Sequence, residues 1–153
     1  MKIHLVAIAS LFLCSGCLKD DTCTPKTVQS ETATMLNYAN ANGITPTTHS
    51  SGMLYQIVSA GAGATPTATS TVTVRYTGKF MDGTVFDSNA TGSPISFGLN
   101  QVIKGWQLGL PLIKKDGLIK LIIPSSLAYG CTGYGSISGD AVLYFEIQLI
   151  DVQ

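Results

Sequence analysis

Charge is scarce in this 153-residue chain: Asp, Glu, Lys and Arg together make up 12% of it, and nine basic residues cancel nine acidic ones. A chain without net charge offers no electrostatic footprint for nucleic acid, so no nucleic-acid partner is expected. So little charge also argues against a helical bundle, whose surface draws heavily on Glu and Lys. Histidine is scarcer still, represented only by His4 and His49. Chemistry that needs paired imidazoles or an imidazole metal cluster is nearly excluded, and no metal and no cofactor are expected. No apolar run approaches the ~20 residues that a membrane-spanning helix requires. What the chain does have is 16 glycines together with abundant Ser and Thr, the composition of strands and turns. Its length allows one domain with a single core and a short appendage.

The appendage is N-terminal. Lys2 precedes a short apolar run from Leu5 to Leu13, closed by Cys14-Ser15-Gly16-Cys17. A positive start, a short apolar stretch and small residues at its end make a signal peptide over 1–16. The small residues before Cys17 resemble a bacterial lipobox, although Cys14 stands where that motif usually carries Leu. The resemblance implies a lipid anchor on Cys17, a lipidated tether over 17–29, and a protein held on a membrane of the bacterial cell envelope, facing the periplasm or the cell surface. An ordinary cleaved secretory peptide without lipid is the alternative.

Ser30-Glu31 then opens a helical stretch through Ala33, Leu36 and Ala39, stopped by Gly43, so a helix is expected over 30–43. Glu31 sits favourably at its positive end. The apolar stripe is thin, and the helix is expected to lean on the main domain. The domain itself is placed at 51–153, where the pattern changes to period two. Val72, Val74 and Tyr76 share one strand face, Ile119, Leu121 and Ile123 a second, and Leu143, Phe145, Ile147 and Leu149 a third, with Tyr144, Glu146 and Gln148 pointing away. Three one-sided strands need a cover. Lys104 to Leu112 supplies it, the stretch here without alternation and the one holding the sole tryptophan, Trp106. The expected fold is therefore α+β: an antiparallel, twisted, five- to six-stranded sheet half-wrapped around one short helix, with a second short helix at the N-terminus.

Six strings in this region occur in an order and spacing that resemble the FKBP family. They are Val74-Arg75-Tyr76-Thr77-Gly78, Asp82 to Ser88, Gln101-Val102-Ile103-Lys104-Gly105-Trp106, Gly109-Leu110, Ile123-Pro124 with Leu127-Ala128-Tyr129-Gly130, and Leu143 to Ile147. The resemblance implies a peptidyl-prolyl cis-trans isomerase acting on X-Pro bonds in exported proteins. It implies a pocket with Trp106 as floor, Tyr76, Phe86 and Phe145 as aromatic walls, and Val102, Ile103 and Ile137 as further substrate contacts. Asp87 and Tyr129 become the catalytic polar groups, with the Ile103 amide and the Tyr129 hydroxyl holding substrate carbonyls. An aromatic residue in such a pattern is also simply core: burying Trp106 contributes about 4 to 6 kcal/mol if ~150–250 Å² leaves water. Asp87 has no such structural excuse, because a carboxylate beside Phe86 in an apolar setting is costly unless hydrogen-bonded.

Two positions depart from the family pattern. Ile95 stands where many members carry a pocket Phe, and Ser138-Gly139 replaces a pair of prolines, so the glycine-rich loop from Gly130 to Gly139 is expected to be pliable. A non-catalytic, chaperone-like or peptide-binding lipoprotein on the same fold is the competing reading. Finally, if Cys14 leaves with the leader and Cys17 carries lipid, Cys23 and Cys131 remain in an oxidising compartment, where an even remainder is more often paired than free. A disulfide between them is expected, beside the pocket rim.

Overall fold

The computed structural model describes residues 23–153; the leader 1–16 and Cys17 lie outside the described residues. Seven strands are present, β1 (Thr47–Thr48), β2 (Leu54–Ser59), β3 (Thr71–Phe80), β4 (Val85–Ser88), β5 (Ile95–Gly98), β6 (Leu118–Ile123) and β7 (Leu143–Val152), and the three alternating segments are β3, β6 and β7. Two α-helices accompany them, α1 (Val28–Ala41) and α2 (Lys104–Gly109), the latter continued by a 3₁₀ turn over Leu110–Leu112. All strand pairs are antiparallel, in the order β1-β2-β6-β7-β3-β4, with β5 also on β3. The count exceeds the expected five to six for two reasons. One edge of β3 is divided between two short strands, β5 along positions 71 to 74 and β4 along 77 to 79. β1 adds only two residues.

The three predicted apolar faces join into one core. Val72, Val74 and Tyr76 of β3, Ile119, Leu121 and Ile123 of β6, and Leu143, Phe145, Ile147 and Leu149 of β7 pack with Trp106, Leu110 and Ile113. Helix α2 reaches this face very closely. A Cβ on Gly105 would lie 2.6 Å from Ile123, and one on Gly109 2.7 Å from Leu121, so two glycines one turn apart let the helix backbone settle onto β6. That seating directs Trp106, between them in sequence, into the aromatic cluster.

The opposite face carries a second, smaller core. Leu54, Ile122 and Tyr144 pair across β2, β6 and β7 and are covered by Met35, Tyr38 and Ala39 of α1. Tyr144 points away from the first core, as its alternation with Phe145 predicted, but into this second one: it is buried against Tyr38, with ring centroids 5.3 Å apart. Alternation tells which residues share a face, not whether a second layer covers it. Glu146, one step along the same face, does reach solvent and meets Lys120 at 3.8 Å.

Helix α1 starts two residues earlier than predicted because Thr27, not Ser30, caps it: the Ser30 amide donates to Thr27 Oγ1 at 3.2 Å. Glu31 does more than complement the helix dipole. It is 4% exposed, and its Oε2 accepts the Ser125 amide at 2.9 Å. Ser125 opens a 3₁₀ turn whose carbonyl receives the amides of Ala128 and Gly130, on either side of Tyr129. Replacing Glu31 with Ala strands a buried amide and is expected to cost about 1–3 kcal/mol. Glu31→Gln keeps an acceptor and should cost less; equal midpoints for both variants in urea unfolding would contradict this role.

Candidate functional site

Between the core face of the sheet, α2 and the 128–142 segment lies a cavity of about 450 Å³. Its floor is Trp106, 4% exposed and met edge-on by three rings: Tyr76 at 5.1 Å, Phe145 at 5.3 Å and Phe97 at 6.1 Å between centroids. Phe86 stands edge-on to Phe145 at 5.6 Å. Such edge-to-face packing sets each ring's positive edge on its neighbour's negative face and holds the walls in place. Val102 and Ile103 form the lip at the start of α2. Gln107, unremarked in the sequence, braces that lip by donating through Nε2 to the Val102 carbonyl at 2.8 Å. Among the described residues the Ile103 amide has no acceptor, which leaves it available to a ligand.

Asp87 projects from β4 into this apolar surrounding and is hydrogen-bonded, as a carboxylate there must be. The Tyr76 hydroxyl donates to its Oδ2. Tyr76 thus has a polar function that its place in an alternating strand does not disclose. Burial, then the Asp87 hydrogen bond and charge, push the Tyr76 phenol far above its ordinary value. Tyr129 faces the same cavity, and its phenol is also raised, first by burial and then by Tyr134 and Asp87. Both phenols keep their protons at neutral pH and remain donors.

On the strand where Ile95 replaces the pocket Phe of many members, Phe97 lines the pocket, while Ile95 pairs with Val74 at the sheet margin and is 36% exposed. The two residues share a strand face, so alternation could not choose between them. Ile137, expected as a substrate contact, is 8% exposed, packs with the main core and is not among the residues lining this cavity. Its loop instead sends Tyr134 to the rim, where the ring stacks on Tyr129 at 5.4 Å and 14° and is 71% exposed.

Backbone hydrogen bonds cross that loop. Tyr134 and Ile137 exchange amide-to-carbonyl bonds of 2.9 Å in both directions, and the Asp140 amide donates to the Gly130 carbonyl at 2.8 Å. A Cβ on Gly139 would fall 2.0 Å from the Cys131 carbonyl oxygen, so glycine here permits a tight backbone contact instead of conferring freedom. Cys131 is joined to Cys23 by a disulfide, with Cα atoms 5.7 Å apart. The segment preceding α1 is thereby fastened beside Tyr129.

The cavity thus brings together an aromatic floor, an acidic group that accepts from the Tyr76 hydroxyl, and a free amide at a helix entrance. The profile of the FKBP-type peptidyl-prolyl cis-trans isomerases matches residues 63–150. The chain belongs to this family. FkpA of Escherichia coli strain K12, an FKBP-type peptidyl-prolyl cis-trans isomerase, is 48% identical over 107 residues, which cover 69% of this chain and 40% of that protein. A probable FKBP-type isomerase of Haemophilus influenzae is 47% identical over 114 residues, 73% of this chain and 47% of the relative. The chain thus spans less than half the length of these curated relatives. Among solved structures, E. coli FkpA aligns with a TM-score of 0.74 at 41% identity, covering 82% of this chain and 61% of that one. A peptidyl-prolyl cis-trans isomerase from Pseudomonas syringae pv. tomato aligns with a TM-score of 0.69 at 30% identity, covering 86% of this FKBP chain and 99% of the other.

Proposed function

We propose that this FKBP domain catalyses cis/trans isomerisation of X-Pro bonds, on the strength of one observation above the others: an aromatic pocket that places Asp87, Tyr129 and the open Ile103 amide around the Trp106 ring. Rotation about an X-Pro amide meets a barrier of ~18–20 kcal/mol, because the planar state is held by resonance that separates charge between oxygen and nitrogen. That resonance is lost in the twisted state. Seating the proline ring over Trp106 strips water from the amide, which disfavours the more polar planar state relative to the twisted one. Each ~1.4 kcal/mol of such difference is tenfold in rate. In this reading the Ile103 amide and the Tyr129 hydroxyl hold the carbonyls flanking the rotating bond, and the Asp87 charge favours the twisted amide. No covalent intermediate is called for.

The substrates fitting this site are proline-containing segments of other polypeptides. We place them among exported proteins, with the chain held on a membrane of the bacterial envelope through a lipid on Cys17, a reading supported by the lipobox-like residues before that cysteine. The test of activity is a protease-coupled assay on an X-Pro peptide. The disulfide-bonded domain should shorten cis/trans exchange well below the uncatalysed tens to hundreds of seconds, and Tyr129→Phe should slow it. A folded protein giving only the uncatalysed rate would leave the peptide-binding alternative standing. Mass spectrometry of the membrane fraction addresses the anchor separately: a diacylglyceryl group on Cys17 is expected, and an unmodified cysteine there would refute it.

A further inference from the structure

Strand β3 lacks a neighbour on one edge just where the pocket begins. Its pairing with β5 ends at Val74, opposite Ile95, and its pairing with β4 starts only at Thr77, opposite Ser88, so Arg75 and Tyr76 have no strand partner on that edge. Tyr76 is the residue whose hydroxyl donates to Asp87. One side chain fills the gap. Asn89 Oδ1 accepts the Tyr76 amide at 2.7 Å, and Nδ2 donates to the carbonyls of Val74 at 3.2 Å and Ser93 at 3.3 Å. The Asn89 amide donates in turn to the Tyr76 carbonyl at 3.0 Å, which also accepts the Ser88 hydroxyl at 3.1 Å. These partners fix which way round the side-chain amide sits, since its oxygen meets an N–H and its nitrogen meets two carbonyls. The Asn89 carbonyl is diverted into a turn, where it accepts the Gly92 amide at 3.0 Å. Asn89 thus leaves the sheet with its backbone and continues the ladder with its side chain. Few residue types can do this: aspartate has no donor for the Val74 carbonyl, serine offers one O–H, and glutamine is a methylene longer.

We propose that Asn89 is a positioning residue of the isomerase site, an inference that rests on the isomerase reading above. It does not line the pocket. It joins the backbone carrying Tyr76 to the backbone carrying Asp87, and so sets hydroxyl and carboxylate at the separation at which they bond. Without it the Tyr76 amide loses its acceptor, the two strands part at the end of their pairing, and the Asp87 carboxylate is no longer held toward the rotating amide.

The experiment measures kcat and KM for an X-Pro peptide with the disulfide-bonded full chain. Asn89→Ala should lower kcat about fivefold, the worth of one hydrogen bond, and leave KM within about twofold, because the floor and walls that seat the proline are untouched. Asn89→Ser, which keeps one hydroxyl, should lose less. In an Asp87→Ala background, Asn89→Ala should cause no further loss, because both act on the same group. The Tyr76 hydroxyl proton, identified by its absence in Tyr76→Phe, should be visible by NMR in the wild type and lost to exchange in Asn89→Ala. Ile122→Val, a change in the core on the other face of the sheet, controls for stability and should keep the wild-type kcat. The proposal is overturned by an unchanged kcat in Asn89→Ala, by a loss that falls on KM, by additive losses with Asp87→Ala, by a retained hydroxyl signal, by a larger loss in Asn89→Ser, or by an equal loss in Ile122→Val. An inactive wild type would remove the isomerase reading and this proposal together, whereas a wild type matched by a fully active Asn89→Ala would remove this proposal alone.

Discussion

Reduction of the Cys23–Cys131 bond is expected to lower the unfolding free energy by up to about 4.7 kcal/mol, the chain-entropy value for closing a loop of roughly 100 residues. The two cysteines are 108 positions apart, so the bond ties the start of the described chain to a loop near its end. The loss should show as a lower urea midpoint for the reduced, alkylated protein or for Cys131→Ser. A second consequence is local. With the bond gone, Cys131 retains the short contact of its carbonyl with Gly139 but loses its hold on the segment before α1. Amide exchange should therefore rise first around Tyr129 to Tyr134, ahead of β3, β6 and β7. Identical midpoints for oxidised and reduced protein, with unchanged exchange in that loop, would show that the bond contributes nothing to the folded domain.

The second large effect concerns Asp87. Asp87→Ala removes both the pocket's charge and the acceptor of the Tyr76 hydroxyl, and should lower kcat/KM for an X-Pro peptide about 10- to 100-fold, corresponding to ~1.5–3 kcal/mol for a hydrogen bond to a charged group. Tyr76→Phe keeps the charge but frees the carboxylate to swing, so a smaller loss is expected. The double variant should be no worse than Asp87→Ala alone, because the two groups act as one unit. Additive losses would mean that Tyr76 touches substrate on its own account, and full activity in Asp87→Ala would remove the carboxylate from the mechanism. Trp106→Ala is not an informative variant: its ring supports Tyr76, Phe97 and Phe145, and the cavity left behind would disturb all three walls.

Much of the pocket was legible because its residues occur in short strings whose internal spacing is set by strand and helix periods. Tyr76 on β3 and Phe145 on β7 both fall on the core side by alternation, and Trp106 falls on the one α-helix within residues 51–153. The contributions that escaped notice come from residues whose role depends on a partner far away in sequence. Gln107 bonds a carbonyl five positions back, but whether its side chain turns that way depends on where the lip of the pocket lies. Tyr134 looked like one more residue of a glycine-rich loop until its ring was found stacked on Tyr129. Phe97 and Ile95 share a face of one edge strand, and only the packing against Trp106 separates them.

By itself the sequence determined the family, the alternating faces that build one core, the helix that covers it and the polar residues that have no reason to be in an apolar pocket. These follow from local periodicity and from the cost of burying charge, which act over a few residues and can be read along the chain. Only the tertiary structure decided which outward faces are covered. Tyr144 lies beneath α1, and Glu31 reaches across 94 positions to hold the Ser125 turn next to Tyr129. It also decided that the loop with four glycines packs Gly139 closely against Cys131, which is bonded to Cys23. Such long-range closures are invisible in composition, since a glycine marks freedom and close approach with the same letter and distance alone tells them apart.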